Sequence, residues 1–268
     1  MQAYLYLVTA FLQNFLNAGQ DGLQLIATAV LPVLFPFFVI TTLIINLTKS
    51  AQPWLVTLLS YISGYPNGAR LTQSLYLENR LNLQQAQQLS IITSTPSPIF
   101  VIATTGIVLL RNLKLGCIIF LCSILSALIN GWLWKPQQTN SPKQIALSLK
   151  KEATDSTHFF QNFSNSLNSA TNAMVNVCGV ILFFYICARL IKLPPLLAGL
   201  LEMTTGVATT TNPFLVQFFV TFGGFSVAMQ QQVFLQSFKV KFSFYLTYKF
   251  THGILACALL ALHLLFLN

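Results

Sequence analysis

Apolar residues along this chain run in long blocks, interrupted by short stretches rich in Gly, Pro and small polar residues. Residues 3–16 are apolar but short of the roughly 20 residues that a membrane-spanning helix needs. The pattern there predicts an interfacial or half-inserted helix, ended by Asn17-Ala18-Gly19-Gln20-Asp21-Gly22. A first full span is expected over about residues 23–47, kinked at Pro32 and Pro36 because each proline removes a helical hydrogen bond. Residues 53–61 and 71–77 are each too short to cross, so they are read as a re-entrant hairpin with its tip at Gly64-Tyr65-Pro66-Asn67-Gly68. A Gln-rich helix over 83–92 then leads into Thr93-Ser94-Thr95-Pro96-Ser97-Pro98, which interrupts what would otherwise be one span over 89–110. A plain span over 115–134 follows, with Trp132 and Trp134 as interfacial anchors.

The second half has the same order. From Ser156, Phe159, Phe160, Phe163, Leu167, Ala170 and Met174 recur at helical spacing between polar residues, an amphipathic helix feeding a span over 174–191. A segment led by Pro194-Pro195 enters a second break, Glu202-Met203-Thr204-Thr205-Gly206-Val207-Ala208, and Thr209 to Pro213 closes that hairpin. A span over 214–235 is interrupted at Gly223-Gly224, and a last span covers 244–267. The expected organisation is an N-terminal interfacial helix (1–22), a first membrane repeat (23–134), a polar loop with its amphipathic helix (135–173) and a second repeat (174–268). Three crossings per repeat is an odd number, so the second repeat should be inverted relative to the first. The fold class expected is therefore an all-α polytopic membrane protein, an inverted repeat of span, re-entrant hairpin, broken helix and span, as in many transporters.

Composition agrees with this pattern. Charged residues make up 7% of the 268 and hydrophobic ones 54%, whereas soluble domains carry about 25% charged residues. The net charge of +9 comes from 14 Lys and Arg against 5 Asp and Glu. No basic stripe with interleaved aromatics accompanies it, which argues against a nucleic-acid partner. On the expected topology Lys49, Arg70, Arg80, Lys135, Lys143, Lys150, Lys151, Lys239, Lys241 and Lys249 share one side. Arg111, Lys114, Arg189 and Lys192 lie on the other, a division of ten against four. By the positive-inside rule the first side, with the loop 135–157, should be cytoplasmic in a bacterial cell membrane crossed several times. The five cysteines lie in apolar segments without metal-ligand spacing and read as packing residues. The N-terminus has no charged n-region or small-residue cleavage site of a removable signal peptide.

The candidate chemistry lies at the breaks. Irregular backbone at membrane depth is tolerated only where protein or a watery cavity surrounds it. Glu202 is the acidic residue of the second half, flanked by Leu200, Leu201 and Met203, and an ionised side chain in the membrane costs about 2.5–3.5 kcal/mol on insertion scales. Its functional reading, as a solute ligand, stands beside a structural one, pairing or an interfacial position. Thr204, Thr205, Asn67, Ser97, Ser226 and Gln230 would supply uncharged donors and acceptors, against the plainer reading that small residues let helices pack closely. Gly64, Pro66, Gly68, Pro96, Pro98, Gly206, Gly223 and Gly224 would act as breaks or hinges. Arg70 could neutralise Glu202, bind an anionic group or serve as a positive-inside residue. His252 and His263 share a helical face but lack nearby carboxylate or thiolate ligands, so neither a metal nor a cofactor is expected. With no nucleophile elbow, P-loop or paired carboxylates, an enzyme is not expected.

Ser63-Gly64-Tyr65-Pro66-Asn67-Gly68-Ala69-Arg70 resembles the S-G-[YF]-P-x-G-A-[KR] signature of the YlbJ-type sporulation integral membrane proteins. In the same order, Leu31-Pro32-Val33-Leu34-Phe35-Pro36-Phe37-Phe38 and Thr93 to Phe100 are similar to two further family segments. Leu201 to Gly206 with Phe222-Gly223-Gly224-Phe225-Ser226-Val227 is similar to a third pair. The resemblance implies a Gate-type ("nucleoside recognition") membrane domain, distantly similar to parts of concentrative nucleoside transporters, and an association with spore cortex formation. Short hairpins, a short central loop and the Gln-rich 83–89 helix depart from the family pattern.

The function expected is that of a transporter or permease-like protein holding an unidentified small polar solute between the two hairpins, with or without a coupling ion. The partners are then the lipid bilayer and that solute, with homo-oligomerisation left open. A non-transporting scaffold or assembly factor acting through the 135–157 loop, and a passive channel, are the alternatives.

Overall fold

A computed structural model describes residues 1–48, 52–134, 156–191 and 193–266, and the described residues are helical without a strand. Five of its helical stretches are long and apolar enough to cross a bilayer, and many of their large apolar side chains point outward, as a lipid-facing surface requires. The protein is therefore a polytopic membrane protein.

The first helix differs from expectation. α1 (Gln2–Leu25) does not stop at Asn17–Gly22 but continues through a π-helical turn, Ile26–Val30, into α2 (Leu31–Thr48). The long stretch Tyr4–Thr48 is 45 residues, about 68 Å at 1.5 Å per residue. Sequence propensity favoured a stop at Gly19 and Gly22, but packing overrides it. Ala18 is buried, and a side chain on Gly22 would meet Leu182 and Tyr185 of α7 (Ser156–Ile191), so the small residues are where the two helices approach. The π turn ends two residues before Pro32, whose missing N–H loosens the helical ladder over that turn. Helix α7 likewise runs for 36 residues without the expected division at Met174.

Between them lie shorter elements. α3 (Pro53–Ser63) starts with proline at its first position, after Gln52, and ends at Gly64. α4 (Asn67–Leu77) follows the Gly64-Tyr65-Pro66 break. α5 (Leu83–Ile92) is set by a capping box in which Asn82 accepts from Gln85 N (2.8 Å) and Gln85 accepts from Asn82 N (3.0 Å). After Thr93–Pro98 comes a π-helical segment, Ile99–Leu109, and then α6 (Leu113–Leu133). The second half has α8 (Pro195–Leu201), α9 (Met203–Ala208), α10 (Pro213–Phe222), α11 (Gly224–Leu235) and α12 (Phe242–Phe266).

The long helices of the first half pack on those of the second. α2 and α1 lie along α7, and α6 lies along α12. Both pairs are antiparallel. Asn46 of α2 donates to Ser166 (3.2 Å) near the start of α7, while Asp21 of α1 meets Arg189 (2.8 Å) near its end. Ser123 of α6 meets His252 of α12 (2.9 Å), and seven residues later Asn130 donates to the Tyr248 carbonyl (2.9 Å). The expected loop 135–157 lies outside the described residues but for the first two positions of α7.

Candidate functional site

Gly64 has φ 75°, a left-handed conformation that L side chains rarely adopt, and a Cβ there would collide with Ser97. Gly68 is not in the break but in the first turn of α4, where a Cβ would collide with Thr93. Tyr65 N donates to the Thr95 carbonyl (2.8 Å). The first hairpin is thus fastened to the Thr93–Pro98 break in the same half. The Tyr65 hydroxyl donates across the halves, to the Val220 carbonyl (3.1 Å), and also contacts Met203 Sδ. The tip of one hairpin therefore meets the second-half helices beside Glu202.

Arg70 is 2% exposed, and its guanidinium makes five hydrogen bonds. It donates to Asn67 Oδ1 through Nε (2.9 Å) and Nη2 (2.8 Å), to the Phe38 carbonyl (2.9 Å), to Thr42 (2.7 Å) and to Ser169 (3.3 Å). The group also lies over the Phe38 ring at 4.6 Å. Asn67 completes the node by donating to Thr41 (2.9 Å) and Ser63 (2.8 Å). Arg70 thus staples α4 to α2 and α7. It is neither an exposed positive-inside residue nor turned to Glu202; the ion pairs among the described residues are Arg80–Glu78 and Arg189–Asp21.

Glu202 is the buried acid among the described residues, at 4% exposure. Its carboxylate caps α9. It accepts from Thr204 N (3.1 Å), Thr205 N (2.8 Å) and the Thr205 hydroxyl (2.9 Å), and also from the Thr204 hydroxyl. Gly206 lies inside α9, where a Cβ would collide with Gly199 of α8, so it marks the close approach of the hairpin arms. Gly223 (φ 83°) and Gly224 (φ 75°) do form the break between α10 and α11. Ser226 accepts from Gln230 (3.3 Å) within one turn of α11. Ser97 accepts from Phe100 N (3.2 Å) at the start of the π-helical segment and lies between Pro96 and Pro98. The polar residues expected as solute ligands thus lie at or beside the breaks, but much of their hydrogen-bonding capacity is taken up locally.

The residue that the sequence reading misplaced is Lys249. Counted there among the cytoplasmic charges, it is 1% exposed on α12, with its ammonium donating to the Ser94 carbonyl (2.9 Å) and 5.4 Å from the Tyr65 ring centroid. Ser94 also shares its hydroxyl with Tyr245 (2.6 Å) and accepts from Gln231 (3.1 Å). With Arg70 and Lys249 both buried, the positive-inside count loses two members of its larger group. The signal was present in the sequence: Tyr245, Tyr248, Lys249 and His252 recur at helical spacing, and all four are buried. An ionisable residue on such a stripe in an apolar helix faces the bundle interior.

The fold and this interior define the class, an all-helical membrane protein whose interrupted helices meet around buried polar groups. Along its length the chain is similar to the sporulation integral membrane protein YlbJ of Bacillus subtilis (strain 168), with 22% identity over 312 residues, covering 92% of this chain and 76% of that protein. The YlbJ-type resemblance of the break motifs therefore extends across nearly the whole chain. No family model matches the chain, and no solved structure is similar to it.

Proposed function

We propose that this protein is a transporter or permease-like membrane protein of the YlbJ type, holding a small polar solute where its helix breaks converge. The observation that carries the reading is Tyr65, whose backbone N–H joins the first hairpin to Thr95 while its hydroxyl reaches Val220 in the other half. The antiparallel packing of α2 with α7, and of α6 with α12, supports an inverted repeat of Gate type, with re-entrant hairpins formed by α3–α4 and α8–α9. In that arrangement Glu202, Thr204 and Thr205 hold the second hairpin in shape, and the hinges are Gly64 and Gly223-Gly224. The relative's name supports a place in sporulation. The function is non-catalytic.

Uptake by proteoliposomes of labelled nucleosides, amino acids and dicarboxylates tests the reading. Saturable uptake above protein-free vesicles is expected. Uptake that rises linearly with solute would indicate a passive channel, and none with any solute class would sink the proposal. One observation favours a non-transporting scaffold instead, the local saturation of Glu202, Thr204 and Asn67. On that reading, replacing the 135–157 loop by a neutral linker should destroy function.

A further inference from the structure

We propose that two copies of this chain pair in the membrane through the outward face of α7, joined by a row of carboxamide side chains. This inference does not depend on the transport reading above. Gln161, Asn165, Asn168, Asn172 and Asn176 recur every three or four residues on α7, and all five are exposed. With 3.6 residues per turn they fall within an arc of about 80°. Gly179, also exposed, continues the row. The side of α7 that packs into the protein is the opposite one, carrying Ser166, Ala170, Ala173, Met174 and Val177. The side chains of Asn165, Asn168 and Asn172 make no hydrogen bond to any described residue. Asn176 bonds to the Asn172 carbonyl of its own helix (3.2 Å). The row therefore does little for the packing of its own chain.

Part of the row lies at membrane depth. Ser166 is level with Asn46 near the end of α2, and Arg189 with Asp21 of α1. The rise between Ser166 and Arg189 is about 35 Å, against a hydrocarbon core of about 30 Å. Asn172 and Asn176 sit about 9 Å and about 15 Å along the helix from Ser166, toward Arg189. Val175 and Phe183, beside and beyond them, are 68% and 62% exposed, as on a lipid-facing surface. Lipid tails offer a carboxamide no partner, and an amide left unbonded there is unfavourable. A second copy offers one, since each carboxamide carries both donors and an acceptor and so complements its own kind. Both copies insert in the same direction, so a two-fold axis along the membrane normal sets Asn172 against Asn172 and Asn168 against Asn168. No charged side chain lies on the row to oppose this. Spacings of four and three residues also suit the seam of two helices packed side by side. Gly179 supplies the close approach. A side chain added there would meet nothing within 4 Å, so this chain's own packing does not call for a glycine, whereas a neighbouring helix does.

The full-length protein, labelled in separate batches with donor and acceptor fluorophores, is reconstituted together in phosphatidylethanolamine–phosphatidylglycerol vesicles and diluted with lipid. Energy transfer should follow a monomer–dimer equilibrium. Asn168→Leu combined with Asn172→Leu should weaken association by about tenfold or more. Gly179→Leu should do the same, and Asn172→Gln should keep most of the association. Because the row faces away from the packed side, these variants should melt in detergent within a few degrees of the unsubstituted protein. In a chain whose five cysteines are replaced by alanine, Asn172→Cys should form a disulfide between copies under mild oxidation. Leu125→Cys, on an exposed face of α6, should not. A protein that stays monomeric at every dilution overturns the inference. Association that survives the Leu substitutions, with no crosslink through Asn172→Cys, puts the interface elsewhere and overturns it as well. None of these measurements uses uptake, so their outcome and that of the transport reading are separable.

Discussion

Arg70 and Lys249 are both cations closed off from solvent beside a helix break, and they are built in opposite ways. Arg70 has a planar fork whose three nitrogens all find acceptors, on α2, α4 and α7, and its face rests on Phe38. Lys249 reaches one carbonyl and an aromatic face, next to two polar atoms with no partner. A buried cation bonded to several elements at once is a structural staple, whereas Lys249 joins α12 to the Thr93–Pro98 break through a single carbonyl. The contrast separates a contact that fixes three helices together from one that fixes a single point of a break.

Substitutions can break that contrast at several strengths. The largest loss is expected for Arg70→Met, which leaves the buried Asn67 Oδ1 without a donor and removes the bonds to Thr42, Ser169 and the Phe38 carbonyl. It should destabilise by about 3 kcal/mol or more, because each buried group left unpaired costs about 1–3 kcal/mol. Denaturant unfolding in detergent measures it, and a near-neutral result would remove the staple role. Next is Gly64→Ala, which forces a side chain into a positive φ and against Ser97. About 2–3 kcal/mol is expected from strain and overlap together, and wild-type stability would show that the break relaxes freely.

Glu202→Gln should be milder. The amide keeps one acceptor oxygen for the α9 cap, so a loss of about 1 kcal/mol is expected, in the usual range for caps. Denaturant unfolding in detergent measures it, and a loss of several kcal/mol would mean that the charge of Glu202 does more than cap α9. The smallest effect is expected at the partly exposed Asp21–Arg189 pair. Asp21→Asn should change stability by about 0.5 kcal/mol or less; a large loss would mean that α1 depends on this contact rather than on packing against Leu182 and Tyr185.

The class of protein and the order of its elements were legible in the chain. Long apolar blocks exclude a soluble domain, and Gly or Pro residues within 64–68, 93–98 and 223–224 place most of the breaks, because these residues change backbone geometry wherever they occur. It was less informative at Asn17–Gly22, where glycines that end a free helix instead let α7 approach a continuous one. The polar residues at the breaks were legible as a set, but not whether their hydrogen bonds were already taken. That depends on partners far apart in the chain, such as Arg70 with Ser169 and Phe38, or Gln231 with Ser94. That Glu202 caps a helix, that Arg70 binds α2, α4 and α7 together and that Lys249 is buried on the Ser94 carbonyl depends on the folded arrangement. A residue's type is local, but its burial and its unsatisfied hydrogen-bonding capacity are set by whatever the fold brings beside it.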